Sequence, residues 1–235
     1  MKKYIFFTFL FCLLTLGVFG QEKLFFKRGT DRLARKDFAN AAKDFSYVLE
    51  FNPQNDAAYF NRGFAYQQLG KHAEAVSDFS SAIDLRADNP DAYLHRSMAK
   101  LETNDAFGAM SDLNVALQSR PRDPRIYRQR AKIKIALSDA RGAINDYSQA
   151  MKLDPGNEDI LFERIEARLS IRDYEGAISD INEVIHKKPN DPAGYNVRAT
   201  IKFQAADTDG ACLDWSYAGQ IGDLSAYDKI KKYCK

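Results

Sequence analysis

The sequence predicts an all-α fold, a linear array of helix hairpins, and three observations carry that prediction. Stepping by 34 residues from Arg62 in both directions meets Arg28, Arg62, Arg96, Arg130, Arg164 and Arg198. The same step from Asp78 meets Asp44, Asp78, Asp112, Asp146, Asp180 and Asp214, and from Ala75 it meets Ala41, Ala109, Ala143, Ala177 and Ala211. The chain holds 16 arginines, so six of them in one register mark an internal repeat. Within each repeat the apolar residues recur at three- to four-residue steps, as in Tyr59, Gly63, Tyr66 and Leu69 and then Ala75, Val76, Phe79, Ala82 and Ile83. Two amphipathic helices separated by one break make a hairpin.

Six repeats follow one another without insertion, over 22–55, 56–89, 90–123, 124–157, 158–191 and 192–223. In the second repeat the break falls at Gly70, and the residue after the break is aspartate in five repeats: Asp37, Asp105, Asp139, Asp173 and Asp207, with Lys71 the exception. Aspartate at that place caps the second helix by accepting a backbone N–H that has no partner within the helix. All seven prolines lie at repeat junctions, and Pro90, Pro124 and Pro192 open a first helix, where the missing N–H costs nothing.

The hairpin explains the registered charges. Arg62 and Asp78 are each eight residues from Gly70, so each lies about 12 Å along its helix from the turn and the two come level. A partly buried pair is expected in every repeat, either within the hairpin or from the aspartate of one repeat to the arginine of the next, 18 residues on. Six identical rows read as packing hardware rather than as a ligand site.

Beyond the last repeat, Leu224, Tyr227, Ile230 and Cys234 share one helical stripe with lysines opposite, which predicts a capping helix over 224–235 that covers the apolar face of the sixth hairpin. Cys212, in the second helix of that hairpin, and Cys234 are placed either to form a staple or to remain two free buried thiols.

At the other end, Met1-Lys2-Lys3 precedes an apolar run from Tyr4 to Phe19, and Val18 and Gly20 supply the small residues of a cleavage site before Gln21. The run is shorter than the roughly 20 apolar residues of a membrane span, so 1–20 reads as a secretory signal peptide, with an uncleaved anchor as the alternative. Export places the two remaining cysteines in an oxidising compartment, where a disulfide is expected. The 235-residue chain has 34 Lys plus Arg against 32 Asp plus Glu; removing Lys2 and Lys3 leaves 32 against 32. A formally neutral chain has no global field for nucleic acid or anionic lipid, and no nucleic-acid partner is expected.

With 45% hydrophobic and 28% charged residues the chain folds rather than remaining disordered. No catalytic constellation appears. His72, His95 and His186 fall at different places in their repeats, and neither a metal-ligand spacing, a glycine-rich phosphate loop nor a nucleophile elbow is present. No cofactor is expected.

The 34-residue helix–turn–helix unit resembles the tetratricopeptide repeat. The family's aromatic at position 4 is matched by Phe25, Tyr59, Tyr93, Tyr127 and Tyr195, its small residue at position 8 by Gly29, Gly63, Ser97, Ala131 and Ala199, and its aromatic at position 24 by Phe45, Phe79, Tyr147 and Trp215. The fifth repeat departs, with Leu161 and Ile165 at positions 4 and 8, so its helices are expected to pack more loosely or in a shifted position. The resemblance implies a right-handed superhelix whose concave face is lined by first helices and binds a peptide or partner protein. Carried over by position, that face holds Phe26, Phe60, Phe64, Leu94, His95 and Met98, then Arg125, Arg128, Gln129 and Lys132, then Asp159, Phe162, Glu163 and Glu166. It runs from apolar to basic to acidic; the alternative is that the apolar members simply pack on the neighbouring repeat. The family's carboxylate clamp is not matched, because its first lysine and asparagine places are here Phe26 and Thr30.

The resemblance implies a non-enzymatic interaction scaffold, periplasmic or extracellular, in a bacterial envelope, with no integral membrane span after cleavage. A regulatory or substrate-presenting subunit of an envelope enzyme, or self-association through the first repeat, are the alternatives.

Overall fold

The computed structural model describes residues 20–234, so the expected signal peptide, apart from Gly20, lies outside the described residues. Among the described residues there are thirteen α-helices and no strand. Helix α1 covers 20–34 and pairs with α2 (Phe38–Phe51); the next hairpins are α3 (Asp56–Gln68) with α4 (His72–Leu85) and α5 (Pro90–Glu102) with α6 (Ala106–Ser119). Then come α7 (Pro124–Ala136) with α8 (Ala140–Leu153), α9 (Glu158–Ser170) with α10 (Tyr174–Lys187), and α11 (Pro192–Gln204) with α12 (Thr208–Gln220), followed by α13 (Ala226–Tyr233). From the second hairpin on, the first helices begin at the residues that the 34-residue register gives, while α1 already runs from residue 20, two before the first predicted repeat. The chain divides into two compact halves, up to Pro121 and from Arg122, so three hairpins fall in the first half and three hairpins with α13 in the second.

The turns follow from their local chemistry. Asp37, Asp105, Asp139, Asp173 and Asp207 each accept a backbone N–H three residues on, while Lys71 caps nothing. The preceding residue is left-handed in every repeat, and only the second repeat spends a glycine there: φ is +72° at Gly70 but +60° at Lys36, +62° at Asn104 and Ser138, +59° at Arg172 and +65° at Ala206. A side chain in that region costs about 1–2 kcal/mol, so five hairpins carry a turn strain that the second does not.

Inside each half the core is a row of small clusters, each closed by three consecutive helices. Phe45 of α2 meets Ala58 and Ala65 of α3; Ile160 and Ala167 of α9 meet Ala143 and Tyr147 of α8; Ile201 of α11 meets Ile181 of α10. Small residues at position 8 let the two helices of a hairpin close: a Cβ on Gly63 would come 3.1 Å from the Phe79 ring. In the fifth repeat the bulkier Ile165 occupies that place, and α9 and α10 approach each other less extensively than the helices of the second, third, fourth or sixth hairpin. The looser packing expected there is observed.

The C-terminal cap is present but phased differently from the expectation. Leu224 is 76% exposed and Tyr227 49%, whereas Ala226 is fully buried with Ile230, Tyr233 and Cys234 against Trp215 and Ala218. The reason lies in the register. Ala226-Tyr227 stands 32 residues after Gly194-Tyr195, and Asp223 caps Ser225 N–H as Asp191 caps Ala193 N–H. Helix α13 is therefore the first helix of a seventh repeat whose linker has lost two residues.

Candidate functional site

Every registered arginine binds the aspartate of its own hairpin, the first of the two predicted geometries. Arg62 donates from Nε and Nη2 to Asp78 at 2.8 and 2.8 Å, Arg96 to Asp112 at 2.9 and 2.7 Å, and Arg164 to Asp180 at 2.9 and 2.7 Å. Arg28–Asp44, Arg130–Asp146 and Arg198–Asp214 repeat the arrangement. All six aspartates are buried, 1–5% exposed. A bidentate guanidinium fork supplies the charge and hydrogen bonds that such a carboxylate needs. The aromatic at position 4 also has a role, because the guanidinium carbons of Arg62, Arg96, Arg130 and Arg198 lie 5.4–5.6 Å from the ring centroids of Tyr59, Tyr93, Tyr127 and Tyr195.

Two further columns belong to this network and escape a search limited to arginine and aspartate. A second cation one turn after the arginine also reaches the aspartate: Arg32, Lys100, Lys134, Arg168 and Lys202, at 2.6–3.0 Å. In the second repeat that place is Tyr66, so among the described residues Asp78 pairs with Arg62 alone. The remaining guanidinium nitrogen reaches back one hairpin, from Arg62 to Ser46, Arg96 to Ser80, Arg164 to Ser148 and Arg198 to Asn182. The 34-residue step from Ser46 meets Ser80, Asn114, Ser148, Asn182 and Ser216, a column of short polar side chains that was available in the sequence. Burial alone would raise the Asp214 carboxyl, but hydrogen bonds from Arg198 and Lys202 outweigh it and hold it below the ordinary range.

The expected partner-binding residues divide into three groups. Leu94 and Gln129 are corrections: at 1% and 6% exposure they are core and not on an accessible face. Phe26, Phe60, Phe64, His95 and Met98 are half-buried. Phe26 packs edge-on to Phe45; His95 lies 5.5–5.7 Å from Phe60, Phe64 and Phe79, with Nδ1 2.9 Å from Gln67 Oε1. These residues are chiefly packing. The charged members do not present separate basic and acidic zones, since Arg128 forks onto Glu163 at 2.8 and 2.7 Å and Lys132 joins it at 3.0 Å. Burial would raise the Glu163 carboxyl, but these two cations hold it below its ordinary value. Arg125 donates to Asp123, the cap of its own helix, while Glu166 is exposed.

Two concave pockets open on the first-helix face of the second half. One, of about 300 Å³, is walled by Ile135 and Tyr147 and rimmed by Lys132, Glu163 and Glu166. The other, of about 340 Å³, is walled by Phe203, Trp215 and Tyr233 and rimmed by Asp228, Lys229 and Lys232. Burial pushes the Tyr147 phenol well above its ordinary value, so the first wall is neutral. The second pocket borders the end of α13, where Cys234 is joined to Cys212 with a Cα separation of 5.9 Å. Among the described residues no group of His, Cys, Asp or Glu is arranged to hold a metal ion, and no helix is long and apolar enough to cross a membrane.

Comparison with known proteins follows the same lines. A tetratricopeptide-repeat family model matches residues 57–89 and a second one matches 134–201. No curated protein sequence matches the chain. Solved structures do: the C-terminal part of a TPR repeat-containing protein from Cytophaga hutchinsonii has a TM-score of 0.77 at 17% identity over 88% of this chain and 87% of its own. YrrB, described as a TPR protein with an unusual peptide-binding site, has a TM-score of 0.62 at 15% identity over 81% of this chain and 99% of its own. A chain of the APC/C hetero-tetramer Cut9-Hcn1 has a TM-score of 0.66 at 19% identity over 91% of this chain, which spans 43% of that chain's length.

Proposed function

We propose, from the premise that the chain is a tetratricopeptide-repeat protein, that it is an exported, non-enzymatic module that holds a peptide or a segment of a partner protein along its first-helix face. The observation that carries this reading is the division of labour between positions. The registered arginines, aspartates and caps are consumed internally and recur from repeat to repeat. The residues at the concave pockets, by contrast, change charge and shape from repeat to repeat, as a surface selected for a particular partner would. The peptide-binding site named for YrrB supports the same use of the fold. Export is supported by the leader read in residues 1–20 and by the Cys212–Cys234 pairing, which persists in an oxidising compartment.

Self-association end to end through the first repeat draws less support. Position 10 is Ala65, Ala99, Ala167 and Ile201 in the second, third, fifth and sixth repeats, all buried. In the first repeat it is the exposed Asp31, which a stacked second chain would bury without a partner.

The test compares the oxidised protein with a Lys132→Ala/Glu166→Ala variant of matched helical circular dichroism and melting, each immobilised and exposed to an envelope extract. The reading expects at least one polypeptide retained by the first and lost by the second. Identical retained sets would remove the groove from the function.

A further inference from the structure

The two pockets occupy the same place in the repeat and have opposite charge. Lys132, Ile135 and Tyr147 become Thr200, Phe203 and Trp215 at a step of 68 residues, two repeats. Glu163, Glu166 and Ala167 become Lys229, Lys232 and Tyr233 at a step of 66, because the linker before α13 is two residues short. The two acids that rim the first pocket are thus replaced, position for position, by two lysines.

Unlike the second cations that reach the registered aspartates, these lysines have no carboxylate within ion-pair distance among the described residues; Asp223, whose carboxyl is held low first by its hydrogen bonds from Ser225, feels Lys229 only at longer range. Each registered aspartate is engaged by its own arginine, and Lys132 is paired with Glu163. Among the described residues Lys229 and Lys232 form no ion pair; their ammonium groups lie 5.9 and 4.9 Å from the ring centroids of Trp215 and Tyr233. Asp228 shares the rim, so the formal charge there is +1, against −1 for the rim of Lys132, Glu163 and Glu166. Aromatic walls with ammonium groups poised over them suit a group that is apolar at its body and anionic at its edge.

We propose that this C-terminal pocket is a subsite for an acidic segment of a partner polypeptide, in which a large apolar side chain enters between Phe203, Trp215 and Tyr233 while a neighbouring carboxylate meets Lys229 and Lys232. The proposal rests on the groove reading above and specifies its chemistry at one end. The volume, about 340 Å³, suits a single large side chain with part of its neighbour. Two flexible lysines, one of them offset by Asp228, are too little charge to hold an anionic membrane or a nucleic-acid backbone. The site exists only while α13 stays in place, which the Cys212–Cys234 link secures from the helix end.

Trp215 is the one tryptophan in the chain, so its emission reports directly on this wall. The probes are two labelled pentapeptides with blocked ends, one containing Glu-Phe-Glu and the other Lys-Phe-Lys, titrated against the oxidised protein with both Trp215 emission and peptide anisotropy recorded. The expected result is a saturable response of both signals to the acidic peptide, weakening with added salt. In a Lys229→Glu/Lys232→Glu variant of unchanged helicity, affinity for the acidic peptide falls about tenfold or more and the lysine peptide becomes the preferred ligand. Three results would overturn the proposal: no anisotropy change with the acidic peptide, an anisotropy change without a Trp215 response, or a variant that keeps the original preference. Each of these leaves the groove reading standing, because that reading is decided by the Lys132→Ala/Glu166→Ala capture experiment.

Discussion

Replacing Arg62 by alanine should cost distinctly more than replacing Arg96 by alanine, although the two arginines occupy the same position in adjacent repeats. Their surroundings match closely: side-chain exposures are 21% and 15%, both fork onto a buried aspartate, both donate to a serine of the preceding hairpin at 3.1 Å, and both lie against a tyrosine. The difference is the second cation. Without Arg96, Asp112 keeps Lys100 at 3.0 Å; without Arg62, Asp78 keeps nothing, because Tyr66 stands where the lysine would be. Stranding a buried carboxylate costs about 3–5 kcal/mol, and with the Arg62 side chain 21% exposed the lower end applies, about 3 kcal/mol. Leaving the carboxylate with one cation should halve this, to about 1.5 kcal/mol. Urea midpoints of the two variants, followed by circular dichroism, measure the gap. Tyr66→Lys should recover part of the loss in the Arg62→Ala background while changing the parent protein little. Equal losses for Arg62→Ala and Arg96→Ala, or no rescue by Tyr66→Lys, would show that solvent already screens these sites and that the second column is not a reserve.

Three further outcomes are expected. Lys71→Asp supplies the cap that the other five second helices have and should stabilise by about 1 kcal/mol, read as a raised urea midpoint. Glu163, whose carboxyl is held below its ordinary value, contributes stability that is present above the unfolded-state pKa of about 4.3 and is lost as pH falls through the lower folded value. The melting-temperature advantage of the parent over Glu163→Gln should therefore shrink from pH 6 to pH 3, whereas a constant gap would mean the ion pair carries none of it. Reducing Cys212–Cys234 opens a 22-residue separation and should cost about 3 kcal/mol in the chain-entropy model, with amide-exchange protection lost first in α13 and Trp215 emission shifting to longer wavelength.

The framework was legible in the sequence because its physics is periodic. A buried aspartate needs its arginine in every hairpin, a second helix needs its cap at every turn, and so each requirement writes a column at a fixed step. The columns that escaped notice are those in which several residue types meet one need: serine or asparagine as the acceptor, arginine or lysine as the second cation, and lysine, asparagine, serine, arginine, alanine or glycine at the left-handed turn residue. The candidate site was less legible for the opposite reason. Position alone placed Leu94 and Gln129 on the groove, yet both are buried, and it treated Arg128, Lys132 and Glu163 as separate zones although they form one cluster. Side-chain pairing between neighbouring first helices depends on reach and rotamer, which a repeat register does not encode.

Departures from the register are where this chain's individuality lies, and they do not all have the same meaning. Tyr66, Lys71 and Ile165 weaken one charge pair, one cap and one helix contact, and each is confined to its own hairpin. Shortening the last linker by two residues acts differently. It keeps Ala226, with Ile230 and Tyr233, packed on the sixth hairpin, so α13 still closes the core. With the helix so phased, Lys229 and Lys232 occupy the pocket positions that Glu163 and Glu166 hold two repeats earlier. The residues required only for capping would be satisfied by alanine and tyrosine at the buried stripe and by any polar residue outside it. Two lysines returning at the pocket positions, above aromatic walls and outside any ion pair among the described residues, exceed that requirement, and this surplus is the ground for proposing that the end of the array recognises a partner as well as closing the core.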